Sequence, residues 1–231
     1  MHACLMLLGL ALGGSWTEDS RWQWRARLPG GQTLEIRAVT GDIRAVPSTT
    51  GEVEIEASVA GGDPGKVTMQ VLSAARGFAV SAAGASDTRV SWAVKLPPGV
   101  GLVARTVNGE IRATQVASDV DASTVNGSVA ISTSGTAMAR TVNGSINASL
   151  LEPFWTSTPE FTAVNGGITL RIPSEAKTSI RAETRNGKLT SQLPDFRGTR
   201  TERSIEGAVG GVGSSAPIVV RTLNGPVDIR M

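Results

Sequence analysis

One short phrase recurs along the chain: a Thr or Ser, an apolar residue, Asn, Gly, one variable residue, then an aliphatic. Three copies are nearly identical: Thr106-Val107-Asn108-Gly109-Glu110-Ile111, Thr124-Val125-Asn126-Gly127-Ser128-Val129 and Thr141-Val142-Asn143-Gly144-Ser145-Ile146. Looser copies centre on Asn165-Gly166, Asn186-Gly187 and Asn224-Gly225, and degenerate ones on Thr40-Gly41 and Glu206-Gly207. Recurrence at a near-fixed period constrains architecture more than any single residue can, because each copy must find an equivalent environment beside its neighbour.

Stepping back from each Asn by two, four and six residues meets small or aliphatic side chains: Thr106, Ala104 and Leu102; Thr124, Ala122 and Val120; Thr184, Ala182 and Ile180; Thr222, Val220 and Ile218. A period of two marks strands with one buried face. Asn-Gly tolerates the backbone angles of a turn. Between apolar runs it ordinarily signals a hairpin, but here every turn carries the same flanks in the same direction. The steps from Asn108 to Asn126 (18 residues), Asn126 to Asn143 (17) and Asn165 to Asn186 (21) instead predict coils stacked in parallel. Asn108, Asn126, Asn143, Asn165, Asn186 and Asn224 would then form a ladder of side-chain amides. The expected fold is all-β: a single-domain parallel β-solenoid (β-helix-like) of about eight coils with Asn-Gly turns. Coils of ~20 residues at a ~4.8 Å rise give a rod of roughly 35–40 Å. Residues 28–97, with strand-like runs but no Asn-Gly between Val53 and Leu96, are read as less regular first coils. Residues 98–231 are the Asn-Gly coils.

Composition fits thin, regular layers. Of 231 residues 40% are hydrophobic but only 4% aromatic, and Tyr is absent, so core volume must come from Ala, Val, Ile and Leu. A net charge of +2, without clustered basic and aromatic residues, argues against nucleic acid. Residues 1–15 read as an export signal, with the short apolar run Leu5 to Leu12 followed by small residues. Residues 16–27 form a mature N-terminal segment before the repeat domain of 28–231. No later apolar stretch is long enough to span a bilayer, so no integral membrane segment is expected once the signal is removed. His2 and Cys4 are the only His and Cys and both lie in the signal. The mature chain therefore has no Ser-His-Asp or Cys-His nucleophile, no imidazole or thiolate metal site and no disulfide; no cofactor or metal is expected.

Three surface features are candidates for contact. Three residues before each Asn lies the column Arg37, Arg105, Ser123, Arg140, Thr162, Glu183, Arg203 and Arg221. Its arginines (Arg37, Arg105, Arg140, Arg203, Arg221) could bind an acidic polymer such as a polysaccharide, or simply pair with neighbouring Glu and Asp on a solvated face. One residue before each Asn lies an apolar column that includes Val39, Val107, Val125, Val142 and Leu223. It points outward by strict alternation, yet it is expected to be tucked in at the corner, since monomers avoid long apolar stripes. The insertion Leu150-Leu151-Glu152-Pro153-Phe154-Trp155 is either a plug or a contact loop bearing Phe154 and Trp155.

The order Leu96-Pro97-Pro98-Gly99, strand, Thr106-Val107-Asn108-Gly109-Glu110-Ile111, then repeated Asn-Gly coils resembles the bacterial putative-adhesin domain family of exported envelope proteins. The resemblance covers roughly Leu28 to Met231. It implies an all-β, solenoid-like domain with no established chemistry; Thr40 and Glu206 depart from it by replacing Asn.

The reading is a non-catalytic interaction or structural module, periplasmic or at the cell surface, whose partner is an acidic polysaccharide or another envelope protein. A sensing module acting with a membrane partner is the alternative. A carbohydrate-active enzyme would need convergent carboxylates. Asp42 and Glu110 share one column, but their coils are expected to lie far apart.

Overall fold

The computed structural model describes residues 14–16, 21–61, 63–84, 88–211 and 215–231. The export signal expected over residues 1–15 lies almost wholly outside them. Strands account for nearly all regular structure. The N-terminal part contributes β1 (Ser15–Trp16), β2 (Arg21–Ala26), β3 (Thr33–Arg37), β4 (Ile43–Pro47), β5 (Val53–Ala60), β6 (Thr68–Ala74), β7 (Gly77–Ala83) and β8 (Arg89–Leu96). The Asn-Gly region contributes β9 (Gly101–Asn108), β10 (Ile111–Val116), β11 (Val120–Asn126), β12 (Val129–Thr133), β13 (Ala137–Asn143), β14 (Ile146–Leu150), β15 (Glu160–Asn165) and β16 (Ile168–Arg171). The C-terminal part adds β17 (Thr178–Asn186), β18 (Leu189–Gln192), β19 (Arg197–Arg200), β20 (Ser204–Val209), β21 (Ile218–Asn224) and β22 (Val227–Arg230).

The strands form two 11-stranded sheets, mostly parallel and not closed into a barrel. Sheet I runs β1-β2-β5-β8-β4-β10-β12-β14-β16-β22-β18, and sheet II runs β19-β20-β17-β21-β15-β13-β11-β9-β3-β7-β6. The chain passes from a sheet II strand through an Asn-Gly corner into a sheet I strand, then returns. Inward-facing residues of both sheets make one core, from Trp22 and Trp24 at one end to Ile218, Val220, Val227 and Ile229 towards the other. Beyond the aromatic end it is built mainly from Ala, Val, Ile and Leu, with Phe161 on β15 buried among them. β17, with its burial alternating residue by residue from Thr178 to Thr184, shows the period of two.

Register along the middle of the stack is equivalent-to-equivalent: Thr106, Thr124 and Thr141 pair in one row and Asn108, Asn126 and Asn143 in the next. At both ends stack order departs from chain order. β3 and β4 lie between the β7–β8 pair and the β9–β10 pair. β21 and β22, the last strands of the chain, insert between β15–β16 and β17–β18. Residues 28–97 are therefore not simply the first coils in sequence. Only β7 and β8 extend the parallel stack beyond β3 and β4, while β2, β5 and β6 pair antiparallel as an end structure. At the other end β20 runs antiparallel to β17, so Glu206-Gly207 is not a corner at all; Gly207 faces Ile180.

Close approach requires the corner glycines, and at Gly41, with φ 140°, a positive backbone angle does so as well. A Cβ added at Gly109 would lie 2.0 Å from the Gly41 carbonyl oxygen, one at Gly127 1.9 Å from that of Gly109, and one at Gly166 1.8 Å from that of Gly144. No side chain fits between these backbones. Gly127→Ala should therefore cost at least about 3 kcal/mol of stability. Gly30→Ala, where the added methyl meets nothing within 4 Å, should change stability by less than about 0.5 kcal/mol; denaturant titration of both variants checks the contrast.

Candidate functional site: the corner ridge and the outer faces

Each corner is held by three repeated bonds. The Gly N–H donates to the Asn carbonyl of the neighbouring corner, as in Gly109 to Asn126 (3.0 Å) and Gly127 to Asn143 (3.0 Å). The buried Thr hydroxyl donates to a neighbouring Gly carbonyl: Thr106 to Gly41, Thr124 to Gly109, Thr141 to Gly127, Thr222 to Gly166 and Thr184 to Gly225, at 2.8–3.1 Å. The Asn Nδ2 donates to the adjacent Asn Oδ1 at 2.8–2.9 Å. The amide ladder is continuous in the order Asn108, Asn126, Asn143, Asn165, Asn224, Asn186, so the C-terminal Asn224 stands between Asn165 and Asn186. Thr40 takes the next position, bridged to Asn108. The role of the Thr was not evident beforehand, because at that parity it reads only as a small buried residue.

The apolar column beside the ladder is exposed, contrary to expectation. Val39 is 68% accessible, Val107 41%, and Val125, Val142 and Leu223 each 38%. The strands run without a break to the Asn, as β9, β11 and β13 show. Strict alternation therefore holds to the corner, and inward-pointing Thr leaves its apolar successor facing out. The result is a ridge of stacked aliphatic side chains flanked by amides.

The Arg column is partly assembled. Arg37, Arg105, Arg140 and Arg221 share the outer face of sheet II, but each meets a carboxylate: Arg37 with Glu35 (2.7 Å), Arg105 with Asp121 (2.8 Å), Arg140 with Glu160 (3.0 Å) and Arg221 with Glu183 (3.1 Å). Arg203 is not in the column. It sits in the turn before the antiparallel β20, where its N–H donates to Thr201 Oγ1. There the carbonyls of Glu202 and Arg203 accept the N–H groups of Leu189 and Thr184, covering the last corner of the stack.

The two residues of the insertion part company. Phe154 is exposed, whereas Trp155 is 3% accessible and its Nε1 donates to the Ala216 carbonyl (2.7 Å). Thr178 Oγ1 donates to the same carbonyl and Ser215 Oγ to that of Pro153. Trp155 is thus a plug rather than a contact residue, and it fastens the segment leading into β21.

Asp42 and Glu110 are neighbours, not distant, because β4 pairs with β10. Their carboxylates are occupied structurally: Asp42 Oδ1 accepts the Glu110 N–H (3.0 Å), and Glu110 pairs with Arg112 (2.9 Å). A 370 Å³ concavity on the outer face of sheet I is lined by Arg112, Thr114, Ser132, Asn147, Ser149 and Arg171 among others, with no carboxylate in its lining. A second, of 300 Å³, holds Glu54 and Glu56. There the Thr50 hydroxyl and the Lys95 ammonium hold the Glu54 carboxyl below its usual value, whereas a glycosidase acid needs its value raised. Among the described residues no group of three or more His, Cys, Asp or Glu could hold a metal ion, and no helix is long and apolar enough to cross a membrane.

No known protein-family profile matches the chain, and no curated protein matches its sequence. Among solved structures the chain is similar to a putative cell adhesion protein from Clostridium sporogenes, at a TM-score of 0.54 and 9% identity over 90% of this chain and 98% of that one. Fainter similarities are to putative adhesins from Bacteroides fragilis (TM-score 0.33, 8% identity, 90% of this chain and 96% of that one) and Parabacteroides merdae (0.25, 10%, 94% and 98%). The similarity to the Clostridium structure shows a shared fold.

Thr141→Val should leave the Gly127 carbonyl without its buried partner and cost about 1–2 kcal/mol, while Asn143→Ala, on the exposed ladder, should cost about 0.5–1 kcal/mol. Trp155→Ala should cost about 3–5 kcal/mol. It should also raise amide exchange across 216–224 ahead of the middle strands, which hydrogen-exchange mass spectrometry measures.

Proposed function

We propose that this chain is a non-catalytic, exported β-solenoid of about eight rungs, residues 28–231 forming one domain behind an export signal over 1–15. In this reading it serves as a contact module of the cell envelope, in the periplasm or at the cell surface. The observation that carries the proposal is the ridge of Val39, Val107, Val125, Val142 and Leu223 beside the continuous Asn ladder. A rigid line of apolar side chains along the stacked rungs suits an extended contact better than a small ligand. The name of the Clostridium protein, a putative cell adhesion protein, agrees with such a role. The paired state of Arg37, Arg105, Arg140 and Arg221 reduces their capacity to attract a polyanion, so an acidic polysaccharide is the secondary reading.

The test is binding of the purified chain, Trp16 onward, to immobilised envelope fractions and to arrays of neutral and anionic bacterial glycans at two salt concentrations. The expected result is binding that changes little with salt and falls at least about 10-fold when Val107, Val125 and Val142 are all replaced by Ser. Salt-sensitive binding lost in the Arg105→Ser, Arg140→Ser, Arg221→Ser variant would transfer the contact to sheet II and an acidic polymer. Failure to bind any surface would overturn the contact role.

A further inference from the structure

Two open sheets leave four edges, and three of them are guarded. β1 has two residues; β18 has four, and its corner is covered by the 202–203 backbone. β19 has four residues, of which two are Arg and one is Gly. Short strands and charges are the usual protection against edge-to-edge pairing. The fourth edge, β6, has seven residues, Thr-Met-Gln-Val-Leu-Ser-Ala, with no charge, no Pro and no Gly. Among the described residues it pairs on one side only, with β7, and ends sheet II. Leu72 on it is 60% exposed.

We propose that β6 is a self-pairing edge through which two copies of this chain join antiparallel, continuing sheet II across a two-fold axis. The occupant must offer an extended, uncharged edge of matching length, and among the described residues β6 alone does so. The flanking charges exclude the central register. Antiparallel pairing about a two-fold axis sets one residue opposite itself. With Val71 on the axis, Lys66 would face the second copy's Arg76. With Gln70 on the axis, Lys66 faces the second copy's Ala74, Met69 faces its Val71, and Thr68 faces its exposed Leu72. With Leu72 on the axis the charges are equally apart, but Val71 would face the second copy's Ser73 instead of Met69, so the apolar pairing places Gln70 on the axis. One strand pair buries less than the ~1,200 Å² of a stable specific interface, so dimerisation is weak, with a Kd on the order of 100 µM.

Sedimentation velocity of the chain from Trp16 onward, from about 10 µM to about 1 mM, should show a reversible monomer–dimer equilibrium. Gln70→Lys, at an exposed position, should weaken it at least about 10-fold, because two like charges then face each other across the axis. In that chain, which carries no cysteine, Gln70→Cys should form an inter-copy disulfide on mild oxidation, whereas Leu72→Cys should not, since Leu72 is opposite the second copy's Thr68. Circular dichroism of each variant establishes that the fold is kept. A chain monomeric at all concentrations would overturn the proposal. So would a dimer indifferent to Gln70→Lys, or one that cross-links through Leu72→Cys and not Gln70→Cys. Dimerisation is read without any envelope ligand, so its outcome is independent of the contact role proposed above.

Discussion

The structure depends on backbone meeting backbone at the Asn-Gly corners. From Gly109 onward each corner Gly lies so close to the carbonyl of the adjacent Gly that a methyl group would overlap it, as Gly109 over Gly41 and Gly127 over Gly109 show. That approach brings the Thr hydroxyl within reach of the neighbouring Gly carbonyl and aligns the Asn amides. Thr, Asn and Gly thus form one cooperative device. The Thr satisfies a carbonyl buried by the approach, the Gly permits it, and the Asn bonds its equivalents on the solvent side. Once the corners stack, the flanking strands are placed in register and the small inward side chains fill the thin space between the sheets.

The same device gives the molecule its most distinctive surface. Because Thr must point inward to reach the Gly carbonyl, the next residue must point outward, and at four such corners it is Val or Leu: Val107, Val125, Val142 and Leu223. A polar residue there would leave the corner bonds untouched. The aliphatic choice is therefore not dictated by the fold, which is why the ridge is the part of the surface most suggestive of contact. The arginines of sheet II differ in this respect: their partners Glu35, Asp121, Glu160 and Glu183 lie on the same face.

Much of the architecture was legible in the sequence, because alternation and recurrence are local. The strand faces, the Asn ladder and the all-β class follow from side-chain parity. What was not legible was which rung lies beside which. Asn165 and Asn186 are consecutive copies at a plausible spacing, yet Asn224 lies between them. The contacts that select this order, Trp155 Nε1 and Thr178 Oγ1 on the Ala216 carbonyl, are long-range and carry no periodic signal. Asp42 and Glu110 were misplaced for the same reason. The glycines were assigned to turn geometry alone when close approach decides most of them, and the Val column was expected inside because the general avoidance of apolar stripes was weighed above strict alternation. Arg203 was placed in the Arg column by counting from Glu206, which stands in an antiparallel strand rather than at a corner.

The central claim, that corners stack through bonded Thr, Asn and Gly in an order set by space rather than by sequence, is tested most directly at the side-chain amides. Nuclear Overhauser contacts among assigned Asn Nδ2 protons should link Asn224 to both Asn165 and Asn186, with none between Asn165 and Asn186. A direct Asn165–Asn186 contact, with Asn224 at the end of the ladder or outside it, would contradict the account.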